Sequence, residues 1–181
     1  MDAPSLPQVV YISEDGATAD IYLTDLSADD LDPGRSLADL DGRIVHLHLF
    51  IVPLAGSTPI EDSACSVTVR HIVLARGKIG VYSGGGFLFP TRSTDNEFSA
   101  RMSGATLRLT AETPGFSDRL GACTLDTSFR ARRDESMATR IGQRVNEILL
   151  VVRPVPGAAP ATAPAAGPGG AAGKTPKAPG K

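Results

Sequence analysis

The sequence predicts a single, mainly antiparallel β domain, either a sandwich or an open barrel of about seven to nine strands, with one C-terminal helix. Short runs rich in Val, Ile, Tyr and Thr alternate between apolar and polar residues, and turns containing glycine or proline separate them at short intervals. Helical patterns do not alternate with these runs, which argues against a parallel α/β fold. The 181 residues suit one domain, which we place at residues 1–156.

The longest apolar run before the C-terminal region is Arg43 to Pro53, RIVHLHLFIVP. In an extended strand, its successive side chains point to opposite faces. One face is then entirely aliphatic, and the other carries His46 and His48 among apolar residues. A strand that is apolar on both faces is normally covered on both, so we expect this one in the centre of the sheet.

Two β-like runs, Gln8 to Ser13 and Thr18 to Thr24, flank the turn Glu14-Asp15-Gly16 and predict a hairpin. The acidic stretch from Asp25 to Gly42 is predicted to be an irregular connection, in which Ser27 and Ser36 could each cap a helical turn. Its length makes it a candidate functional loop. Ser63 to Arg76 is predicted as the second long strand.

The middle of the chain contains several glycines within β-like sequence. Gly84 to Gly86 separate the runs Ile79 to Tyr82 and Phe87 to Pro90, which indicates a bulge, a sharp corner or a close backbone approach. Further on, alternation from Phe98 to Met102 and from Leu107 to Ala111 predicts a second hairpin with its turn at Ser103-Gly104.

The apolar period changes after the last predicted strand, Ala122 to Ala131. An apolar stripe then predicts an amphipathic helix at about residues 134–152, with Asp134 as its cap; the stripe consists of Met137, Ile141, Val145, Ile148, Leu149 and Val152. Residues 157–181 contain only Gly, Ala, Pro, Thr and Lys. They have no large apolar side chain to anchor them, so we expect a disordered tail.

Charge and composition make some classes of function improbable for this chain. The tail carries three of the 18 basic residues and no acid, which leaves 15 basic against 20 acidic residues in the domain. Such an acidic domain is a poor nucleic-acid binder. The N-terminus lacks the pattern of a signal peptide, and no apolar run reaches the ~18 residues of a membrane span. We expect a soluble, cytoplasmic chain, or an exported one if a signal peptide has been removed.

The three histidines suggest one metal-dependent alternative. His46 and His48 lie two residues apart on one strand face, and His71 lies on the next long strand. Three imidazoles could bind a divalent transition metal and leave an open position for a reaction or a signal. The competing interpretation, which we favour, is that these rings make ordinary hydrogen bonds at the polar margin of the sheet.

The acidic connection suggests a second alternative. Clustered carboxylates can bind Ca²⁺, and the candidates are Asp30, Asp32, Asp39 and Asp41. No segment has the EF-hand spacing, so a solvated loop with helix caps is the preferred interpretation. Cys65 and Cys123 are too few for a disulfide scaffold and are interpreted as unbridged apolar residues.

The sequence contains no complete catalytic constellation. The leading hypothesis is therefore a non-enzymatic module that has a structural or protein-binding role and requires no cofactor. The two alternatives are a metal-dependent enzyme or sensor that uses the three histidines, and Ca²⁺-dependent binding through residues 25–41.

Overall fold

The structure, a computed structural model, describes residues 6–13, 18–50 and 65–157. It confirms the mainly β prediction with a single C-terminal helix. Within the described ranges the elements are β1 (Gln8–Ile12), β2 (Ala19–Thr24), β3 (Asp41–Leu49), β4 (Val67–Ala75), β5 (Lys78–Ser93), β6 (Glu97–Glu112), β7 (Cys123–Arg133), α1 (Glu135–Val151) and β8 (Arg153–Pro154). The helix begins after Asp134, whose side chain accepts a hydrogen bond from the Met137 amide, as the sequence predicts.

The strands form one sheet in the order β5-β4-β3-β2-β1-β7-β6-β8, and β5 also pairs with β6. The pairing therefore returns on itself through seven strands, and β8 extends it beside the end of β6. All pairs are antiparallel except β1–β7, which is parallel. The histidine-bearing run becomes β3, which lies between β2 and β4 as predicted.

The two faces of the sheet are buried against different partners. The inner face of the ring forms one core, which includes Ile21, Leu47 and Met102. The outer face of β1 to β5 forms a second core beneath α1 and the connection from β2 to β3, and Ile72 and Ile141 belong to it. Alternation along each strand produces this division, because neighbouring residues belong to opposite faces.

The acidic connection is attached to the helix. It contributes the buried side chains of Leu26, Leu31 and Leu40 to the outer core. The side chain of Arg144, which is almost completely buried, donates to the carbonyl oxygens of Asp30, Asp32 and Arg35. The sequence pattern excluded Arg144 from the buried stripe of α1, because a charged residue carries no apolar signal. Arg144 lies there because the connection supplies it with acceptors.

The second predicted hairpin is wrong. Ser103 and Gly104 lie inside the continuous strand β6, where the register with β7 shifts between Met102 and Ala105. Gly104 has φ +66°, which glycine adopts without steric cost. Before the bulge the buried residues of β6 have even numbers, and after it they have odd numbers. In the sequence, such a shift of the apolar alternation looks the same as the interruption that a turn produces.

The glycine cluster is correctly predicted to be an irregular, close approach. Gly84 to Gly86 belong to the continuous strand β5, and the register with β6 shifts between Gly85 and Phe87. A Cβ atom at Gly84 would collide with the carbonyl oxygen of Thr106. The two runs that flank the glycines are therefore one strand. Because the glycines have no side chains, the backbone of β6 can approach β5 closely at this point.

Several sequence predictions lie partly or wholly outside the described residues, including the turn at residues 14–16 and the tail from residue 158. The first hairpin is confirmed as far as its strands are described, since β1 and β2 pair antiparallel. In the described part of the chain, no helix has the length and apolar character that crossing a membrane requires.

Candidate functional site

His46 and His48 lie on the outer face of β3 and share a partner. His46 Nε2–H and His48 Nδ1–H donate to the same oxygen, Oδ1 of Asp20 on β2, at 2.7 and 2.9 Å. Burial raises the pKa of the Asp20 carboxyl, but the hydrogen bonds and charges of the two imidazoles outweigh burial and bring the pKa below its usual value. The ring of Tyr22 stacks on His46 with centroids 4.7 Å apart.

His71 lies on the opposite face. The antiparallel register pairs it with Val45 and pairs Arg70 with His46, so His71 shares the inner face with Val45. The fold therefore divides the three histidines between two faces of the sheet. Within the described residues, no group of three or more His, Cys, Asp or Glu side chains is arranged to bind a metal ion.

The four candidate calcium ligands have other contacts or point elsewhere. Asp30 accepts hydrogen bonds from the amide and hydroxyl of Ser27, and Asp32 accepts one from the Gly34 amide. Asp41 lies 3.6 Å from Arg76. Asp39 is exposed in a 3₁₀ turn, Leu37–Asp39, which Ser36 caps as predicted. The carboxylates therefore act as turn and surface groups and do not converge.

A different feature dominates the inner face: the seam between β1 and β7. Their parallel ladder contains two register pairs, Val10 with Arg132 and Tyr11 with Arg133. The remainder of β7, Cys123 to Ala131, has β6 on one side and no described strand on the other. Among residues 6–13, 18–50 and 65–157, this part of β7 is an unpaired strand edge within an otherwise closed ring.

A cavity of about 690 Å³ lies at the seam. Its apolar lining comes from β1, β2, β3, β6 and β7 and from Leu6, which precedes β1. Its polar lining includes His71 and charged side chains of β3, β6 and β7. The lining residues are Leu6, Val9, Leu23, Arg43, Val45, His71, Arg101, Met102, Leu125, Asp126, Thr127, Ser128, Phe129 and Arg130. The volume is in the range of small-molecule pockets and is accessible from an unpaired backbone edge.

Two backbone hydrogen bonds establish which groups of β7 point into the seam. The Asp134 amide donates to the Tyr11 carbonyl of β1, whereas the Arg133 amide donates to the Asn96 carbonyl next to β6. Backbone groups of successive residues in a strand point to alternate sides. The even-numbered residues of β7, Asp126 and Ser128 among them, therefore direct their N–H and C=O groups towards the seam.

The lining of the cavity is cationic although the whole chain has a net charge of −2. It contains Arg43, Arg101 and Arg130 and a single acid, Asp126. Arg130 lies 3.4 Å from Glu97 in an exposed pair, which is a weak interaction. Within the described residues, neither Arg43 nor Arg101 has an ion-pair partner.

His71 contributes little positive charge near neutral pH. Burial lowers the pKa of its imidazole, and the Arg43 guanidinium lowers it further, although Asp25 opposes this. A neutral imidazole at the apolar wall can donate one hydrogen bond and accept another. The fixed cationic groups of the cavity are therefore the three arginines.

Sequence reasoning missed the seam. One local signal was present, since β7 combines fully exposed alternate residues with only half-buried apolar ones such as Leu125 and Phe129. A half-buried inner face is typical of a strand that lacks a neighbour. The cysteines, interpreted as unbridged, are free, and both are half-buried. No protein-family model, curated protein or solved structure matches the chain.

Proposed function

We propose that the protein is a non-enzymatic binding module that holds an extended segment of a protein partner in the cavity at the seam. The observation that carries the proposal is the unpaired edge of β7 beside a cavity of about 690 Å³. An extended peptide can add a strand to such an edge, so that main-chain hydrogen bonds supply affinity and the cavity receives alternate side chains.

The backbone geometry favours a strand over a compact small molecule. The unpaired stretch from Cys123 to Ala131 spans about 30 Å at roughly 3.3 Å per residue. Even-numbered residues along it offer donors and acceptors at regular intervals, which is the pattern that another peptide backbone complements. The metal and calcium alternatives receive no comparable support, because each needs side chains that do not converge.

The proposal is tested by selecting binders from an unbiased library of displayed eight-residue peptides and measuring their affinity by fluorescence anisotropy. We expect selected peptides to bind the wild type and to bind Ser128→Pro at least tenfold more weakly, since proline removes a seam-facing N–H but none towards β6. Ser128→Ala removes the same hydroxyl and keeps the amide. The difference between the two variants therefore reports the amide itself.

A second readout covers the case in which Ser128→Pro does not fold. Amide hydrogen exchange of the wild type should slow at Asp126 and Ser128 on peptide binding, while the odd-numbered amides, already paired with β6, change little. If the library yields no binder, or if the selected peptides leave exchange at both even-numbered positions unaltered, the proposed function is wrong.

A further inference from the structure

We infer that the segment bound at the seam alternates acidic with apolar residues, a deepening that rests on the function proposed above. Successive side chains of an inserted strand point to opposite faces. One set would enter the cavity against Leu23, Val45 and Phe129, and the other would lie on the outer side of the seam, where the exposed residues of β7 stand.

The positive charge at the rim of the cavity favours acidic residues at those positions of the bound segment whose side chains lie on the outer side of the seam. Arg101 and Arg130 are exposed and lie at the rim of the cavity. Arg101 has no ion-pair partner in the described part of the chain, so binding a carboxylate there breaks no existing pair, and at Arg130 it competes only with the exposed pair to Glu97. An overall acidic domain would repel an acidic segment elsewhere, which concentrates its binding at this cationic seam.

Other occupants match less well. The chain's own C-terminal segment, residues 158–181, carries three lysines, no acid and no large apolar residue, so it complements neither the arginines nor the cavity. A second copy that paired through the same edge would bring its own Arg101 and Arg130 against these arginines, and like charges disfavour such a contact. The charges of the rim therefore favour an acidic segment of a different protein over another copy of this chain.

The test compares three ten-residue peptides that share the same apolar positions and carry Glu, Gln or Lys at the alternate positions. We expect the Glu peptide to bind more tightly than the Gln peptide, and the Lys peptide to bind most weakly. The advantage of Glu over Gln should shrink between 50 and 300 mM NaCl, because salt screens exposed charges.

Variants of the rim give the matched comparison. Arg101→Gln and Arg130→Gln should each weaken the Glu peptide roughly two- to fivefold and leave the Gln peptide nearly unaffected, as expected for exposed charge pairs. Arg119→Gln removes an exposed arginine of the β6–β7 connection outside the cavity lining and serves as the control. A Glu peptide with N-methylated alternate amides should lose most of its affinity, since its backbone can no longer complete the pairing.

The outcomes separate the two proposals. Equal affinity for the Glu and Gln peptides, or a Glu peptide indifferent to both arginine variants, would overturn the acidic specificity and leave strand addition intact. If none of the three peptides binds and the library is also unproductive, both proposals fail. If dodecanoate displaces the Glu peptide and binds wild type and Ser128→Pro equally, the occupant is a lipid-like carboxylate, and the inference of a peptide is wrong.

Discussion

The two faces of strand β1 border regions that differ in packing: one is a covered core and the other is a cavity. On its outer face, Val10 is buried in the core under α1, where the helix and the connection from β2 to β3 pack against the sheet. On its inner face, Val9 lines the cavity, and the strand leaves its neighbour β7 after two register pairs. The covered side buries its apolar side chains, whereas at the seam apolar surface and backbone groups lack partners among the described residues. That difference is the reason why we propose the seam as the binding site.

The largest loss of stability should come from detaching the connection between β2 and β3 from α1. Arg144→Ala removes a buried donor to three carbonyl oxygens and the partner of Glu147. We expect the free energy of unfolding to fall by about 3–5 kcal/mol in urea titrations, as for other buried charged networks that lose one member. Arg140→Ala, which removes one exposed bond to the Ala28 carbonyl, should cost less than about 1 kcal/mol. Similar losses in both variants would show that the connection is not held by Arg144.

A matched truncation on each side sharpens the comparison. Leu74 is buried in the outer core, and Leu125 lies half-buried in the cavity lining. Leu74→Ala should destabilise the protein by about 2–5 kcal/mol through lost burial and a new cavity. Leu125→Ala should cost about 1 kcal/mol or less, because its side chain is already only partly removed from water. Equal costs in thermal and urea unfolding would mean that the seam is as well packed as the covered side.

The same contrast explains what the sequence could and could not predict. Local alternation predicted the strands and the stripe of α1, because both periods are written in neighbouring residues. The burial of Arg144 depends on the distant connection that supplies its acceptors. The division of the histidines depends on the register with β4, which places His71 on the inner face. The seam is less predictable still. It exists because only Val10 and Tyr11 of β1 pair with β7. Their partners, Arg132 and Arg133, lie more than a hundred residues further along the chain.

The bulge in β6 shows why phase alone misleads. A hairpin and a bulge both interrupt alternation, and both favour glycine at a positive φ. They differ in whether the chain reverses, and this depends on partners that flank both halves of the segment. Because β5 pairs with β6 on both sides of Gly104, the strand continues through it.

The smallest expected effect concerns the acid sensitivity of the cavity wall. Burial and the charge of Arg43 lower the pKa of His71 below its ordinary value of 6.5, and Asp25 only partly opposes them; the ring also contacts Tyr82. The unfolded chain therefore binds the proton more tightly than the native fold does, so stability should decline as the pH falls below about 6.5. His71→Gln should remove this part of the decline, which urea titrations from pH 7.5 to 5 would measure. Asp20, whose pKa is lowered from 3.8, loses its contribution only at lower pH and does not overlap this window. If the unfolding free energies of wild type and His71→Gln depended on pH in the same way, the expected destabilisation on acidification would be absent. Water would then solvate the imidazole at the cavity wall, and this wall would be more hydrated than the covered side.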